Sequence, residues 1–132
     1  MQRVVDGDTV ELMDGRHVRY IGVDTPETRR RIGDRWVEDP QPFAREASAM
    51  NRKLVEGKSV RLEYDVERFD KYGRTLAYVS VGDVMVNDEL LRRGYAKLMT
   101  IPPNVKYVDR FRAALLEARE ARRGLWKTQG VR

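Results

Sequence analysis

QRVVDGDTVELMDGRHVRYIGVD, residues 2 to 24, reads as two β segments before any helix. Val10 and Leu12 alternate with polar neighbours, Asp14-Gly15 is hairpin-turn chemistry, and a second extended run follows from His17 to Val23. Only the short stretch up to Val5 precedes the Asp6-Gly7-Asp8 turn, so the spacing predicts an abbreviated first strand. Residues 28 to 42 hold Arg29, Arg30, Arg31, Gly33, Asp34, Arg35, Pro40 and Pro42 without a usable period, which predicts a long basic loop.

Downstream, Pro42 suits the first turn of a helix, and Phe43, Ala47, Met50 and Leu54 recur at helical spacing until Gly57. Val60, Leu62 and Tyr64 alternate with charged residues, and Thr75 to Val81 is a β-rich run that turns at Gly82-Asp83. Asn87 is placed to cap a short helix, Asp88 to Arg93, which Gly94 ends; Pro102-Pro103-Asn104 then breaks the chain. A last helix, about 107 to 123, puts Val108, Phe111, Leu115 and Ala118 on one stripe and stops at Gly124. With no repeat or linker, residues 1–132 read as one α+β, mainly β, domain: a five-stranded OB-fold barrel with about three helices packed outside.

Composition narrows the chemistry. The chain has 132 residues, 26 Lys+Arg against 21 Asp+Glu, a net charge of +5, no cysteine and one histidine. Thiolate nucleophiles, disulfides and cysteine-ligated metal sites are therefore excluded, and His17 alone cannot build a two-histidine site. His17 reads as a surface or half-buried strand residue, and Trp126 as a plug that docks the C-terminus. Any catalysis has to use carboxylates, arginines, tyrosines, lysines or a hard metal ion. The positive charge is mostly arginine, whose planar fork suits phosphate. No apolar run approaches the roughly 20 residues of a spanning helix. Met1 to Asp6 has no apolar stretch behind its single basic residue, so no signal peptide is expected within the chain, though a trimmed product is compatible with it.

Three segments break the rules of strand writing, as functional sites often do. They are Asp6-Gly7-Asp8-Thr9, Asp24-Thr25-Pro26-Glu27 after a strand containing Arg19, and Asp70-Lys71-Tyr72-Gly73-Arg74. Each alone is ordinary turn or helix-start chemistry. Together they offer acids, arginines, a lysine and a tyrosine at the ends of neighbouring strands, which suits metal-assisted attack on a phosphodiester.

In order and spacing these segments resemble the thermonuclease, or staphylococcal nuclease-like, family over roughly residues 3 to 126. Leu76-Ala77-Tyr78, Met85-Val86-Asn87, Gly94-Tyr95-Ala96-Lys97 and Gly124-Leu125-Trp126 extend the match. The resemblance implies an OB-fold barrel and a calcium-dependent nuclease that cuts DNA and RNA at the 5′ P–O bond to leave 3′-phosphate ends. It implies Ca2+ on the carboxylates of Asp8 and Asp24 and the main-chain carbonyl of Thr25, with Asp6 orienting that site. Glu27 matches the general base on water, Arg19 and Arg74 the phosphate-clamping arginines, and Lys71 and Tyr72 the contacts to a terminal phosphate. It also implies secretion; a single-stranded substrate is the expected preference, and a monomer is the default.

Two departures from the family pattern stand out. Where its best-known members carry two tyrosines after the Ala-Lys matching Ala96-Lys97, this chain has Thr100 and Pro102, and Tyr107 can substitute only if the Pro102-Pro103 loop folds back. The 28 to 42 loop is longer than theirs, and its arginines suggest a salt-sensitive grip on nucleic acid, with Trp36 either stacking on a base or packing. The alternative reading is a binding module that has kept the barrel and lost catalysis. Such domains replace the acids or arginines, whereas Asp8, Arg19, Asp24, Glu27 and Arg74 are all present here.

Overall fold

The computed structural model describes residues 3–38 and 41–129. The expected strand start at Gln2 and the loop residues Asp39 and Pro40 lie outside the described residues. Strand β1 (Arg3–Asp6) pairs antiparallel with β2 (Thr9–Glu11), and β2 with β3 (His17–Tyr20). The short first strand is thus present, with a register shift between Val4 and Asp6 that turns the chain toward Asp8. Strand β4 (Gly22–Asp24) is set off from β3 at Gly22 (φ +87°), where a Cβ would lie 2.5 Å from the Phe111 ring. Only glycine meets both demands, so the extended run expected over 17–23 becomes two strands in two sheets.

In place of the expected basic loop, β5 (Arg29–Ile32) and β6 (Arg35–Glu38) form a hairpin turned by Gly33 and Asp34. Alternation was hidden because arginines occupy successive strand positions, leaving no period-2 contrast. Helix α1 (Ala44–Val55) starts two residues after Pro42, with Phe43 in a left-handed turn before it. Its buried face is Ala44, Ala47, Asn51 and Val55. Strand β7 (Arg61–Glu63) pairs antiparallel with β8 (Thr75–Val81), which runs parallel to β3 and turns back into β9 (Val84–Met85).

Helix α2 (Val86–Arg92) begins directly at the end of β9, so Asn87 lies inside it and does not cap it. Strand β10 (Lys97–Met99) pairs with β4, and α3 (Val108–Glu120) and the short α4 (Trp126–Gln129) follow. On α3 the buried residues are Phe111, Ala114 and Ala118. The main sheet order β1-β2-β3-β8-β7, curled with helices on the outside, is the expected α+β OB fold. Leu125 N–H donates to Gly94 O at 2.8 Å, while Trp126, as expected, packs the tail, with Arg119 5.4 Å over its ring. His17 is part exposed, 3.8 Å from Glu11. No helix among the described residues is long and apolar enough to cross a membrane.

The core is made where α2 meets the sheet: Val10, Val18, Tyr20, Val23, Val79, Val86, Leu90 and Leu91 are all buried. Asn87 is fully buried among them. Its Oδ1 accepts from Val79 N–H at 2.9 Å, and its Nδ2 donates to Ile21 O at 2.8 Å and Ala77 O at 3.3 Å. One side chain thus satisfies main-chain groups where β3 leaves the sheet and β8 passes beneath α2. Asn87→Ala would strand these groups away from water, so urea denaturation should show a loss of about 2–4 kcal/mol with secondary structure retained; a change below about 0.5 kcal/mol would show that the staple carries no stability.

Candidate active site

The β1–β2 turn delivers Asp6 and Asp8 to the mouth of the barrel because Gly7 lets it press on Thr25 and α1. A Cβ on Gly7 would sit 2.6 Å from Thr25 Oγ1 and 2.9 Å from Ala47 Cβ. Asp8, with its side chain 4% exposed, accepts from Thr25 N–H at 3.0 Å and from Thr9 Oγ1 at 3.1 Å. From the end of β3, Arg19 reaches between two acids: Nη2 lies 3.4 Å from Asp8 Oδ2 and 3.7 Å from Asp24 Oδ1. Its Nη1 donates to Tyr20 O at 2.8 Å and Val23 O at 2.7 Å. These carbonyls fix the guanidinium before any ligand arrives.

Glu27 follows β4 and meets Asp6 side chain to side chain. Burial, the hydrogen bond to Asp6 and the negative charges of Asp6, Asp8 and Asp24 push its carboxyl up to about 7. Asp6 is raised mainly by burial, and Asp24 by burial and the Asp8 charge against the opposing pull of Arg19 and Lys97. Protonated, Glu27 can donate this hydrogen bond to the Asp6 carboxylate. Asp6 is itself placed by α1: Tyr20 Oη donates to Asn51 Oδ1 at 2.6 Å, and Asn51 Nδ2 donates to Asp6 O at 2.9 Å.

The negative charges of Asp6, Asp8 and Asp24 all act on Glu27, an excess that a nearby cation would offset. Among the described residues no three acidic or histidine side chains are gathered closely enough to enclose an ion. Asp8 and Asp24 are the carboxylates brought together, with the Thr25 main chain already joined to Asp8. A cation bound between these two carboxylates and the Thr25 main chain would take few protein ligands and be completed by water.

Across Arg19 from these acids opens a cleft of about 690 Å³, lined on its polar side by Arg19, Lys71, Tyr72 and Arg74. The turn before β8 positions Arg74 through Asp70, whose Oδ1 accepts from the N–H groups of Tyr72 and Arg74, both at 2.9 Å. Arg74 Nε donates to Asp70 Oδ2 at 2.8 Å. Tyr72 is exposed, with Lys71 Nζ 5.3 Å and the Arg74 guanidinium 5.6 Å from its ring centre. Apolar side chains share the lining: Phe69, Met99 and Ile101 line the cleft although each is exposed.

Arg19 belongs to both halves, while Asp8, Asp24, Thr25 and Glu27 lie on the acidic side and Lys71, Tyr72 and Arg74 on the cleft side. Tyr107 does not fold back. Its hydroxyl donates to Glu63 (2.7 and 2.9 Å) and its ring stands edge-on to Tyr78 at 4.7 Å, so it belongs to the barrel. The sequence reading gave no role to Asp70, Asn51, Phe69 or Gln41. Asp70 was detectable as the acid four residues before Arg74; the other three act through tertiary contacts that carry no local signal.

A family model described as staphylococcal nuclease homologue matches residues 17–128. Thermonuclease of Staphylococcus hyicus is 41% identical over 128 residues, covering 94% of this chain and 72% of that protein. Thermonuclease of Staphylococcus intermedius is 44% identical over 131 residues, covering 96% of this chain and 74% of that protein. Endonuclease YncB of Bacillus subtilis is 38% identical over 135 residues, covering 98% of this chain and 62% of that protein. With the OB fold and the paired acid and arginine clusters in place, the chain belongs to the staphylococcal nuclease family.

Proposed function

We propose that the protein is a calcium-dependent nuclease that hydrolyses DNA and RNA at the 5′ P–O bond and leaves 3′-phosphate ends. The observation that carries the reading is Arg19, held between the two aspartates on one side and open to the cleft on the other. A phosphodiester lying against Arg19 and Arg74 would have its oxygens neutralised as charge develops. Glu27, once ionised and released from Asp6, takes a proton from water as the water oxygen bonds to phosphorus. The bond to the 5′ oxygen then breaks, and the leaving oxygen takes a proton from solvent water to become the 5′-hydroxyl.

Ca2+, when bound by Asp8, Asp24 and the Thr25 carbonyl, supplies positive charge that favours the ionised form of these acids and polarises the phosphate. Lys71 and Tyr72 bind a neighbouring phosphate. The apolar wall of Phe69, Met99 and Ile101 takes the face of a nucleobase where the family's tyrosines are missing. An unpaired base reaches that wall without strand opening, which favours single-stranded substrate, acted on by a monomer. Secretion is the localisation that the family resemblance supports.

Single-turnover cleavage of labelled single-stranded DNA should require calcium, stop in chelator and yield 3′-phosphate ends. Folded protein that binds the strand and never cuts it would favour the binding-module alternative. Arg19→Gly and Arg74→Gly should each slow the chemical step by about 10²- to 10³-fold. Glu27→Gln should slow it by about 10²- to 10⁴-fold; parental rates in a folded Glu27→Gln protein would remove Glu27 as the base.

Phe69→Ala should raise KM about 10-fold with kcat nearly unchanged, on the scale of one lost stacking contact. An unchanged KM would place the base elsewhere.

The Glu27 carboxyl also predicts a stability profile. In the fold it keeps its proton to about pH 7, against an ordinary value of 4.5, so the native state binds the extra proton across that window. Stability in chelator should therefore fall as pH rises from about 4.5 to 7. Glu27→Gln keeps a donor for Asp6 and cannot ionise. Thermal melts in chelator should find it more stable than the parent at pH 8, by about 1 kcal/mol after solvent screening, and equal at acidic pH. A less stable variant at pH 8 would show that the carboxylates do not repel one another as argued.

A further inference from the structure

The β5–β6 hairpin takes no part in the barrel: its strands pair with each other and with no other strand among the described residues. It is nevertheless rooted on the site. Glu27 N–H donates to Gln41 Oε1 at 2.8 Å, and Gln41 N–H donates to Glu27 O at 2.9 Å, so the chain leaves and rejoins the fold beside Glu27. Arg45 Nη2 holds Glu38 at 2.8 Å, bracing the second strand on helix α1. Each four-residue strand reaches roughly 13 Å from that root.

The arm carries Arg29, Arg30, Arg31 and Arg35 against Asp34 and Glu38, a cationic excess. It also presents Trp36 at 61% exposed and Ile32 at 45%. A large exposed aromatic among arginines is the pattern of a surface that holds single-stranded nucleic acid: guanidinium for phosphate, ring for base. The cleft of about 690 Å³ has the size of a pocket for one small ligand, so a polynucleotide reacting there must leave it. On the acidic side, the structure directly beyond Glu27 is the root of this arm.

We propose that the β5–β6 hairpin is a second nucleic-acid contact, gripping the strand beyond Glu27 through arginine–phosphate contacts and base stacking on Trp36. This rests on the nuclease reading of the site but involves none of the residues that carry the reaction. The arm contributes affinity for long substrates and nothing to the chemical step.

The test compares the parent, Trp36→Ala and the triple variant Arg29→Gln/Arg30→Gln/Arg31→Gln on two substrates. One is a dinucleotide with a single diester, the other a dye-labelled single strand of about 20 nucleotides. For the long strand, Trp36→Ala should raise KM about 10-fold. The triple variant should flatten the dependence of log KM on log salt by about 2, the scale of three lost phosphate contacts at about 0.7 each. Both variants should keep parental kcat and KM on the dinucleotide. Equal losses on both substrates, or no loss on the long one, would overturn the arm.

If the parent cuts neither substrate, the nuclease reading fails, and the arm is judged by fluorescence anisotropy of the same labelled strand. Weaker binding by the variants then supports the arm, and parental binding refutes it. Phosphatidylserine vesicles serve as a control for other anionic surfaces: variants that lose vesicle binding while keeping the oligonucleotide would make the hairpin a membrane contact and overturn the proposal.

Discussion

The Arg19 guanidinium joins the elements on which the site depends. It only donates: Nη1 to the main chain at the end of β3 and within β4, Tyr20 O and Val23 O, and Nη2 to Met99 Sδ at 3.7 Å. Its remaining face is set against Asp8 from the β1–β2 turn and Asp24 from the end of β4. Three chain segments that would otherwise repel or drift are thereby held at one point. A lysine could not do this, because it lacks the planar fork that serves two carbonyls and two carboxylates at once. With its side chain only 13% exposed, Arg19 interacts under weaker solvent screening than the charges on the rim.

The same arrangement leaves an imbalance. One arginine cannot neutralise Asp6, Asp8, Asp24 and Glu27 together, and the excess appears as the raised proton affinity of Glu27, Asp6 and Asp24. Fold and site therefore pull in opposite directions: the barrel would be better off with fewer acids at its mouth, and the proposed hydrolysis would need them ionised. Stability is supplied elsewhere, by the apolar layer between α2 and the sheet and by the Asn87 and Asn51 staples that tie helices to strands. These buried amides have their polar groups satisfied, which is the condition under which burying them does not weaken the core.

Much of this was legible in the chain. Alternation at Val10 and Leu12 and the run Thr75–Val81 mark strands, the three turn segments mark the site, and their order marks the family. What was not legible has physical causes. Four arginines within the β5–β6 hairpin hide a strand from any hydrophobic pattern, because a hairpin that pairs with no barrel strand among the described residues, with Ile32 and Trp36 exposed, writes no apolar alternation. Asn87 has the residue type of a cap, yet its place is decided by three main-chain groups that only the folded sheet brings to it. Phe69 lies in a charged turn and looks like an isolated apolar residue; Met99 and Ile101, the other side chains of its wall, come from a distant part of the chain.

That wall also bears on what the cleft can distinguish. Discriminating one base from another takes hydrogen-bond groups free to meet its edges, and two polar side chains of the cleft, Asn104 and Asp70, are already engaged. Asn104 spends Oδ1 on Glu67 N–H at 2.8 Å and Nδ2 on Glu67 O at 2.9 Å, and Asp70 is committed to the Tyr72–Arg74 turn. Phe69, Met99 and Ile101 offer surface and no edge-reading groups. On the nuclease reading, phosphate contacts then fix where the strand lies while stacking accepts any base. With Thr100 and Pro102 where the resemblance places two tyrosines, the cleft lacks those two rings, and on this reading recognition rests on shape and charge.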